Sequence, residues 1–387
     1  MDRVKRPFDE EQLLEQAGAA LGGVRLGCRR VIRGDSRFPR YVVRCTVEHP
    51  SGELPDTVIV KQANWPGLVL AEWIALEFLN ALPAIADRSL VPRLFGSDRE
   101  NELIVVEDLG IDSLGVILHD RDAAHARALL LATVQTLATI HAATTGQEAL
   151  YREIRARIVP HPSWGTLDNQ LNRAVESFPK QAANLGLSLE AGIVQDLEDI
   201  LVVLNQPGPF RGFAQGDLNP GNILEREGCA CLCDFVPSAY YNIFTEGVYP
   251  LMFYLAHGDI HRYPEELTEE MFAEYLRTLG GQVPAALDPA AVGTSVVAAS
   301  AAWMAHILSQ LPEYMRADRR RGVFTYRQSM LYCLDAYSAA AHRFGSFLHL
   351  AELTAEMSCR LKRDWSLEYT EVPLCRAFEC DVSLLTN

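Results

Sequence analysis

The sequence predicts an α+β protein with two lobes: a small N-terminal lobe with an antiparallel sheet and one helix, and a large, mostly helical C-terminal lobe. Strand-like runs separated by turns dominate the first hundred residues. From about residue 121, apolar residues at helical spacing replace them. The change lies near residues 109–113, so we expect an N-terminal lobe of residues 1–110 and a helical lobe of residues 111–387. A chain of 387 residues is long enough for two cores.

The elements of the first lobe follow in a clear order. A short amphipathic helix is expected over about residues 8–21. Residues 29–62 predict three strands separated by a loop with Gly34 and a turn at Pro50. Apolar positions at helical spacing predict a helix over 68–82, and two further strands follow within 91–110.

The second lobe is predicted to be helical with a single interruption. Residues 123–143 form a long amphipathic pattern, and several more helices are expected within 265–362. One strand-rich island at 221–235 predicts a small hairpin. Its cysteines Cys229, Cys231 and Cys233 alternate, which favours small core hydrophobes on one face of a strand over zinc ligands.

Composition limits the class of protein. The first residues carry charges of both signs and no apolar segment, and nine cysteines favour reduced thiols, so we expect a cytoplasmic protein. The most apolar long stretch, Val292 to Leu311, contains polar residues that suit a core helix better than a membrane span, so no membrane partner is expected.

The net charge of −15 is unevenly distributed. Residues 1–110 hold 14 Lys and Arg against 17 Asp and Glu, whereas the remainder holds 21 against 33. Such a chain is a poor partner for nucleic acid. The acidic second lobe could attract a cationic small molecule, and an acidic surface that keeps the protein in solution explains the charge equally well.

The stretch FAQGDLNPGNIL, residues 213–224, is the first candidate for chemistry. Asp217 and Asn222 lie five positions apart in a loop, and Asp234 ends the hairpin that follows. Carboxylate and amide oxygens that converge on one loop suit Mg²⁺. The spacing is also that of a kinase catalytic loop. Taken alone, the loop fits an ordinary surface turn as well, because its Gly, Asp, Asn and Pro residues all favour turns.

Lys61 in the first lobe favours the catalytic interpretation. It stands at the end of a short apolar strand, where a lone buried cation is costly unless it meets an anion. The following helix offers Glu72 and Glu77 as partners. A lysine of this kind, paired with a helix glutamate, contacts the α- and β-phosphates in kinase-type sites.

Together these motifs resemble the aminoglycoside phosphotransferase and choline kinase-like group of small-molecule kinases, which have a protein kinase-like fold. Lys61, Glu72, LIVVEDLG, LATIHAA, QGDLNPGN and CDF occur in the order of that group, within about residues 24–240. The typical loop of the group reads His-Gly-Asp-Leu-His-Pro-Gly-Asn. The Gly-x-Gly-x-x-Gly and Ala-Pro-Glu motifs of ordinary protein kinases are missing from the sequence.

The resemblance implies a role for each matching residue. Asp217 would deprotonate the acceptor hydroxyl, while Asn222 and Asp234 would hold Mg²⁺. Lys61 would bind the phosphates of ATP or GTP, and Glu72, preferred to Glu77 because EWIALEFL matches the helix of the group, would hold the lysine in place.

The resemblance also implies where the rest of the nucleotide binds. The backbone of Val106, Glu107 and Leu109 would bond the adenine edge as the hinge between the lobes. The loop from Gly34 to Arg40 would cover the phosphates, with Ser36 as a donor.

Three positions depart from the pattern of the group. Gln215 replaces the usual histidine, and no glycine follows Asp234-Phe235. The aspartate expected about a dozen residues later is missing, and Glu246 is the nearest acidic residue.

The resulting hypothesis is an ATP- and Mg²⁺-dependent O-phosphotransferase that acts on a small hydroxylated molecule. The acidic second lobe favours a cationic antibiotic or an amino alcohol as acceptor. The competing hypothesis is a non-catalytic nucleotide-binding module of the pseudokinase type.

Overall fold

The computed structural model describes residues 8–33, 40–49, 54–63, 67–120, 122–159, 166–252, 262–321, 324–367 and 373–379. The first part of the chain contains a sheet and its flanking helices. In chain order these are α1 (Glu10–Ala20), β1 (Leu26–Arg33), β2 (Arg40–Val47), β3 (Thr57–Ala63), α2 (Leu68–Asn80), α3 (Pro83–Ala86), β4 (Leu94–Asp98) and β5 (Leu103–Glu107).

The five strands form one antiparallel sheet in the order β1-β2-β3-β5-β4. Val42 of β2 is paired with Lys61 of β3, and Ile59 of β3 is paired with Val106 of β5. Side chains alternate between the two faces of a strand, and directly paired residues share a face. Lys61 therefore lies on the same face as Val42, Ile59 and Val106.

The two faces of the sheet belong to different cores. On one face Tyr41, Val43, Val58 and Val60 pack with Leu13 of α1. On the other face Val42, Ile59 and Val106 join the larger core, which includes α2 and continues into the helical part of the chain. The face that carries Lys61 is thus the one directed toward the rest of the molecule.

The remainder of the chain is mainly helical. Its helices are α4 (Leu114–Ile117), α5 (Ala123–Thr144), α6 (Glu148–Ile158), α7 (Leu167–Asn184), α8 (Ala191–Asn205), α9 (Phe244–Gly247), α10 (Tyr249–Met252), α11 (Glu265–Gly280), α12 (Pro289–Leu308), α13 (Leu311–Arg316), α14 (Tyr326–Phe344) and α15 (Leu348–Trp365). The predicted two-lobed α+β class is confirmed. The exact boundary between residues 110 and 111 stays a prediction.

Short strands are more numerous in this part than the sequence indicated. The predicted hairpin is present as β7 (Ile223–Arg226) and β8 (Cys229–Leu232). Two further antiparallel pairs are formed, by β6 (Arg211–Ala214) with β9 (Ala239–Asn242) and by β10 (Arg320–Arg321) with β11 (Phe324–Thr325). The prediction of a single strand-rich island was wrong, because strands of two to four residues are too short to show a period of two.

The alternating cysteines do not share one environment. Cys231 is buried, its thiol donates to the carbonyl of Ser89, and burial raises its pKa to about 11. Cys229 is exposed because β8 begins there, directly after the Glu227-Gly228 turn. The expectation of core packing was correct for Cys231 and wrong for Cys229.

One helix in the described part of the chain, α12, is long and apolar enough to cross a membrane by length and composition, and α5 with α6 would pass as a pair bent by 87°. Of the most apolar 18-residue stretch of α12, 83% is buried inside the protein. The helix is therefore a core helix, as its polar residues predicted.

Helix α2 is anchored to the helical lobe by a cluster of aromatic rings. Phe78 of α2 lies 5.4 Å from Tyr151 of α6 and 5.5 Å from Phe213 of β6, measured between ring centroids. Tyr240 of β9 completes the cluster at 6.4 Å from Phe78. Phe78 is fully buried. Because α2 also carries Glu72, these rings fix the position of that carboxylate relative to the loop after β6.

Replacing Phe78 by alanine should lower the free energy of unfolding by about 3–5 kcal/mol, since a buried ring is removed and a cavity is left. Urea unfolding followed by circular dichroism measures the change. Val202→Ala on α8 is the control, because Val202 is 54% exposed and should change stability by less than about 0.5 kcal/mol. Equal effects of the two variants would contradict the anchoring role of Phe78.

Candidate active site

A cleft lies between the face of the sheet that carries Lys61 and the loops that flank β7 and β8. Val42, Ile59, Val106 and Leu109 give it an apolar surface, and Lys61, Asn222 and Asp234 give it a charged and polar one. The strand register places Arg44, Ile59 and Val106 beside the hinge, then Val42 and Lys61, and then Arg40. The cleft therefore has the apolar Ile59 and Val106 near the hinge, where Arg44 is bonded to Asp108, and the cations Lys61 and Arg40 farther along.

Lys61 and Glu72 form a buried ion pair. Lys61 Nζ lies 2.5 Å from Glu72 Oε1, and Glu72 is fully buried. Burial raises the pKa of Glu72, but Lys61 and Arg40 outweigh that effect, so the pKa of this carboxyl lies below its ordinary value. Glu77 instead accepts hydrogen bonds from Arg157 and from Trp73. The lysine thus meets the helix glutamate that the resemblance indicated.

The loop after β6 brings Asp217 and Asn222 into contact. Asn222 Nδ2 donates to the Asp217 carbonyl at 2.9 Å and to Asp217 Oδ2 at 3.0 Å. Asn219 Oδ1 accepts from the Gly221 N–H at 2.8 Å, which is the turn-forming use of an asparagine. The residues that favour turns therefore do form a turn here, and this turn holds Asp217 and Asn222 together.

Gly216 has a conformation that other residues rarely adopt. Its φ is +87°, and a Cβ at this position would lie 2.6 Å from the carbonyl oxygen of Pro237. Glycine is required here because only a residue without Cβ fits both the dihedral and the close approach. The backbone conformation of Gly216 therefore fixes the position of Asp217, and so does the hydrogen bond from Asn222.

Asp234 follows β8 with a left-handed backbone, φ +64°, which is unusual for a residue other than glycine. Gln215 braces this position, since its Nε2 donates to the carbonyls of Cys233 at 2.5 Å and of Asp234 at 3.2 Å. Gln215 thus contacts the carbonyl groups before and after the Cα of Asp234. Sparsely populated backbone conformations of this kind persist where the surroundings fix them.

The predicted hinge residues Val106, Glu107 and Leu109 line the cleft. The carboxylate of Glu107 accepts from Arg226 Nη1 at 2.6 Å and from the Arg93 N–H at 3.2 Å. The side chain of Glu107 is therefore engaged in structure, and its backbone N–H already donates to the Arg93 carbonyl at 2.9 Å. The predicted donor Ser36 lies outside the described residues.

Glu246 connects the candidate catalytic loop to the helical lobe. Its Oε1 accepts from the Gly216 N–H at 2.6 Å, and its Oε2 lies 3.1 Å from His141 Nε2. His141 Nδ1 is in turn 2.8 Å from the hydroxyl of Tyr275. All three side chains are fully buried. The aspartate missing from the sequence pattern therefore leaves no gap, because the longer Glu246 reaches the loop.

The side chains present suit Mg²⁺ and a nucleotide. Asp217, Asn222 and Asp234 supply oxygens, and Lys61 supplies a cation that Glu72 orients. In the part of the chain that the structure describes, no group of three His, Cys, Asp or Glu residues could hold a metal ion by itself. A site with one or two carboxylates is typical of Mg²⁺, which keeps waters and substrate phosphates as its other ligands.

Several solved structures that match the chain are those of small-molecule kinases. An ethanolamine kinase of Plasmodium vivax is 11% identical with a TM-score of 0.45, and the match covers 85% of this chain and 84% of that one. The amicoumacin kinase hAmiN, in complex with AMP-PNP, Ca²⁺ and Ami, is 17% identical with a TM-score of 0.49, covering 90% and 94%. The ADP-bound aminoglycoside phosphotransferase APH(2'')-Ib is 12% identical with a TM-score of 0.45, covering 89% and 99%.

These matches belong to the groups that the sequence motifs resemble. No protein-family model matches the chain, and no curated protein matches it by sequence. At these identities and TM-scores the matches carry no statement about what this chain acts on.

Sequence reasoning missed two contacts of the site. It named Arg40 only as the end of a loop, whereas Arg40 forms ion pairs with Asp234 and, at 3.4 Å, with Glu72. It also missed the bond of Arg44 Nη2 to Asp108 Oδ1 at the hinge, 2.8 Å long. The available signal was the alternation Arg40-Val42-Arg44, which places two cations on the inner face of a strand beside Lys61.

Replacing Glu246 by alanine should destabilise the protein by about 2–3 kcal/mol, because a buried N–H and a buried histidine lose a charged partner. Hydrogen exchange of the Gly216 amide should become faster, and urea unfolding measures the loss of stability. Glu270→Ala is the control, since Glu270 forms an exposed ion pair with Arg127 that should contribute less than about 1 kcal/mol. Unchanged exchange at Gly216 would show that Glu246 does not hold the loop.

Proposed function

We propose that this protein is an ATP- and Mg²⁺-dependent phosphotransferase that transfers the γ-phosphoryl group to a hydroxyl of a small molecule. One observation carries the proposal. Lys61, which is paired with the buried Glu72, lines the same cleft as Asn222 and Asp234, and Asp217 is held against Asn222, although these residues come from distant parts of the chain. An ordinary surface turn at 213–224 requires no buried lysine–glutamate pair opposite it.

The proposed roles follow from the chemistry of each side chain. The backbone beside Val106 and Leu109 would bind the base over the apolar surface of the cleft, and Lys61 would bind phosphate oxygens. Asn222 and Asp234 would hold Mg²⁺, which when bound neutralises charge on the phosphates. Asp217 would accept the proton of the acceptor hydroxyl. Catalysis of this kind depends mainly on positioning and on charge neutralisation.

The acceptor is proposed from charge. The acidic second lobe favours a molecule that carries both a hydroxyl and an amine, such as an amino alcohol or a cationic antibiotic. A panel of such acceptors, with ATP and GTP as donors, followed by phosphorus NMR and mass spectrometry, identifies the product.

Replacing Asp217 by asparagine should lower turnover about 10²–10⁴-fold, because the amide cannot accept the proton while the shape of the loop is kept. Turnover is measured as ADP release and as phosphorylated product with the best acceptor of the panel. Asp199→Asn is the control, since Asp199 is exposed on α8 and bonds only Gln195 among the described residues. Unchanged turnover in Asp217→Asn would exclude Asp217 as the base.

Replacing Lys61 by methionine should weaken ATP binding about 10–100-fold, because a charged hydrogen bond to phosphate is lost. Isothermal titration calorimetry measures the affinity, and Arg40 remains in contact with Glu72 in the variant. Lys362→Met is the control, since Lys362 pairs with Asp335 in the helical lobe and does not line the cleft. Equal affinity of both variants would contradict the role of Lys61.

The competing non-catalytic module gives a different set of results. It would bind nucleotide with an increased melting temperature, yet release no ADP with any acceptor of the panel. Absence of any thermal shift with Mg-ATP or Mg-GTP would exclude both functions.

A further inference from the structure

Arg40 is a second buried cation in the cleft. It is the first residue of β2, is 5% exposed, and lies on the same face as Val42 and Lys61. Its Nη2 forms an ion pair with Asp234, and its Nη1 lies 3.4 Å from Glu72 Oε2. The guanidinium therefore bridges the carboxylate that orients Lys61 and the carboxylate proposed to hold the metal.

Glu72 does not require both cations. A single buried carboxylate is compensated by one close cation with good geometry, and Lys61 already lies 2.5 Å away. A second buried cation adds its own cost of desolvation. Burial lowers the pKa of Arg40, and the carboxylates of Glu72 and Asp217 act in the opposite direction. Arginine nevertheless stays charged in proteins, so Arg40 balances Asp234 and becomes available to an anion once a metal ion takes its place at that carboxylate.

One donor of Arg40 is unused. Its Nε is buried and makes no hydrogen bond to the described part of the chain, although Arg40 lines the cleft. A buried donor without a partner costs about 1–3 kcal/mol, so such a group in a cleft points to a ligand that supplies the acceptor. Phosphate oxygens match the planar fork of a guanidinium.

We propose that Arg40 is a second phosphate-binding residue of the nucleotide site, and that without nucleotide its guanidinium neutralises Asp234 in place of the metal ion. This assignment rests on the proposed function. Phosphate binding would draw Arg40 from Asp234 and free that carboxylate for Mg²⁺. Without nucleotide, a metal ion would have to compete with Arg40 for the carboxylate of Asp234. Nucleotide and metal would therefore bind cooperatively, and the coupling is reciprocal.

A purely structural clamp is the competing explanation. In that case Arg40 joins β2 to the end of β8 permanently and contacts no ligand. Its removal would then lower the affinity for every ligand of the cleft to the same extent, with or without phosphate groups. The two explanations differ in two measurable quantities. One is how the loss of affinity on removing Arg40 depends on the number of phosphates in the ligand. The other is the affinity for a metal ion in the absence of nucleotide.

The test uses the full chain as wild type, R40Q, R40K and the control R25Q, whose arginine is exposed and faces Glu48. Calorimetry measures binding of adenosine, AMP, ADP and a non-hydrolysable ATP analogue, with and without Mg²⁺. Electron paramagnetic resonance measures Mn²⁺ binding without nucleotide. Circular dichroism and melting temperature establish that each variant is folded.

R40Q should bind ADP and the ATP analogue about 10–100-fold more weakly than wild type, with adenosine affinity unchanged. Mn²⁺ without nucleotide should bind R40Q about tenfold more tightly, because Asp234 is released. R40K should bind the ATP analogue with an affinity between those of wild type and R40Q, since lysine keeps the positive charge but lacks the planar guanidinium. R25Q should behave as wild type.

Unchanged affinity of R40Q for ADP and the ATP analogue, or an equal loss for adenosine, would overturn the assignment. Unchanged Mn²⁺ binding would overturn the exchange with metal. If R40Q does not fold, R40K decides by the same comparison of adenosine with the ATP analogue. If the wild type phosphorylates no acceptor, but R40Q weakens binding of ADP and the ATP analogue as expected, the proposed function is refuted and the assignment of Arg40 stands. A wild type that binds no nucleotide refutes both.

Discussion

The buried carboxylate of Glu72 is the constraint around which the cleft is arranged. It is fully buried, and it contacts Lys61 from β3, Arg40 from β2 and the backbone of Phe235 beyond β8. A carboxylate removed from water requires such partners, because an unpaired buried charge is strongly destabilising. Satisfying Glu72 thus joins two strands, helix α2 and the segment after the hairpin at one point. The cleft takes its shape from this requirement.

A second buried carboxylate, that of Glu246, likewise joins separate segments in the helical lobe. Glu246 holds the Gly216 N–H on one oxygen and faces His141 on the other. Between the two carboxylates runs the segment from Gln215 to Asp234, which contains every residue proposed for the chemistry in this lobe. Gln215 bonds the carbonyls of Cys233 and Asp234, so the loop and the end of β8 are held together. Positioning of the proposed site therefore depends on buried polar groups more than on the loop itself.

The back of the cleft is joined by direct contacts between the lobes. Arg226 of β7 bonds Glu107 beside the hinge, and the Leu232 N–H donates to the Leu90 carbonyl at 2.9 Å. The rings around Phe78 add apolar contact between α2 and the helical lobe. A motion that opens the cleft must leave these contacts intact or break them. The exchange proposed for Arg40 needs no such motion, because one side chain changes partner within the cleft.

The two-lobed class, the order of the main elements and the candidates Lys61, Glu72, Asp217, Asn222 and Asp234 were predictable from the sequence. Those features are local, since strand and helix periods and loop spacings can be read within a few residues. The partners of the buried charges, in contrast, are known only from the folded chain. Arg40 meets Asp234 across 194 residues of chain, and Gly216 meets Glu246 across 30. Burial makes such pairings obligatory, but a sequence pattern does not specify which charges meet once the chain has folded.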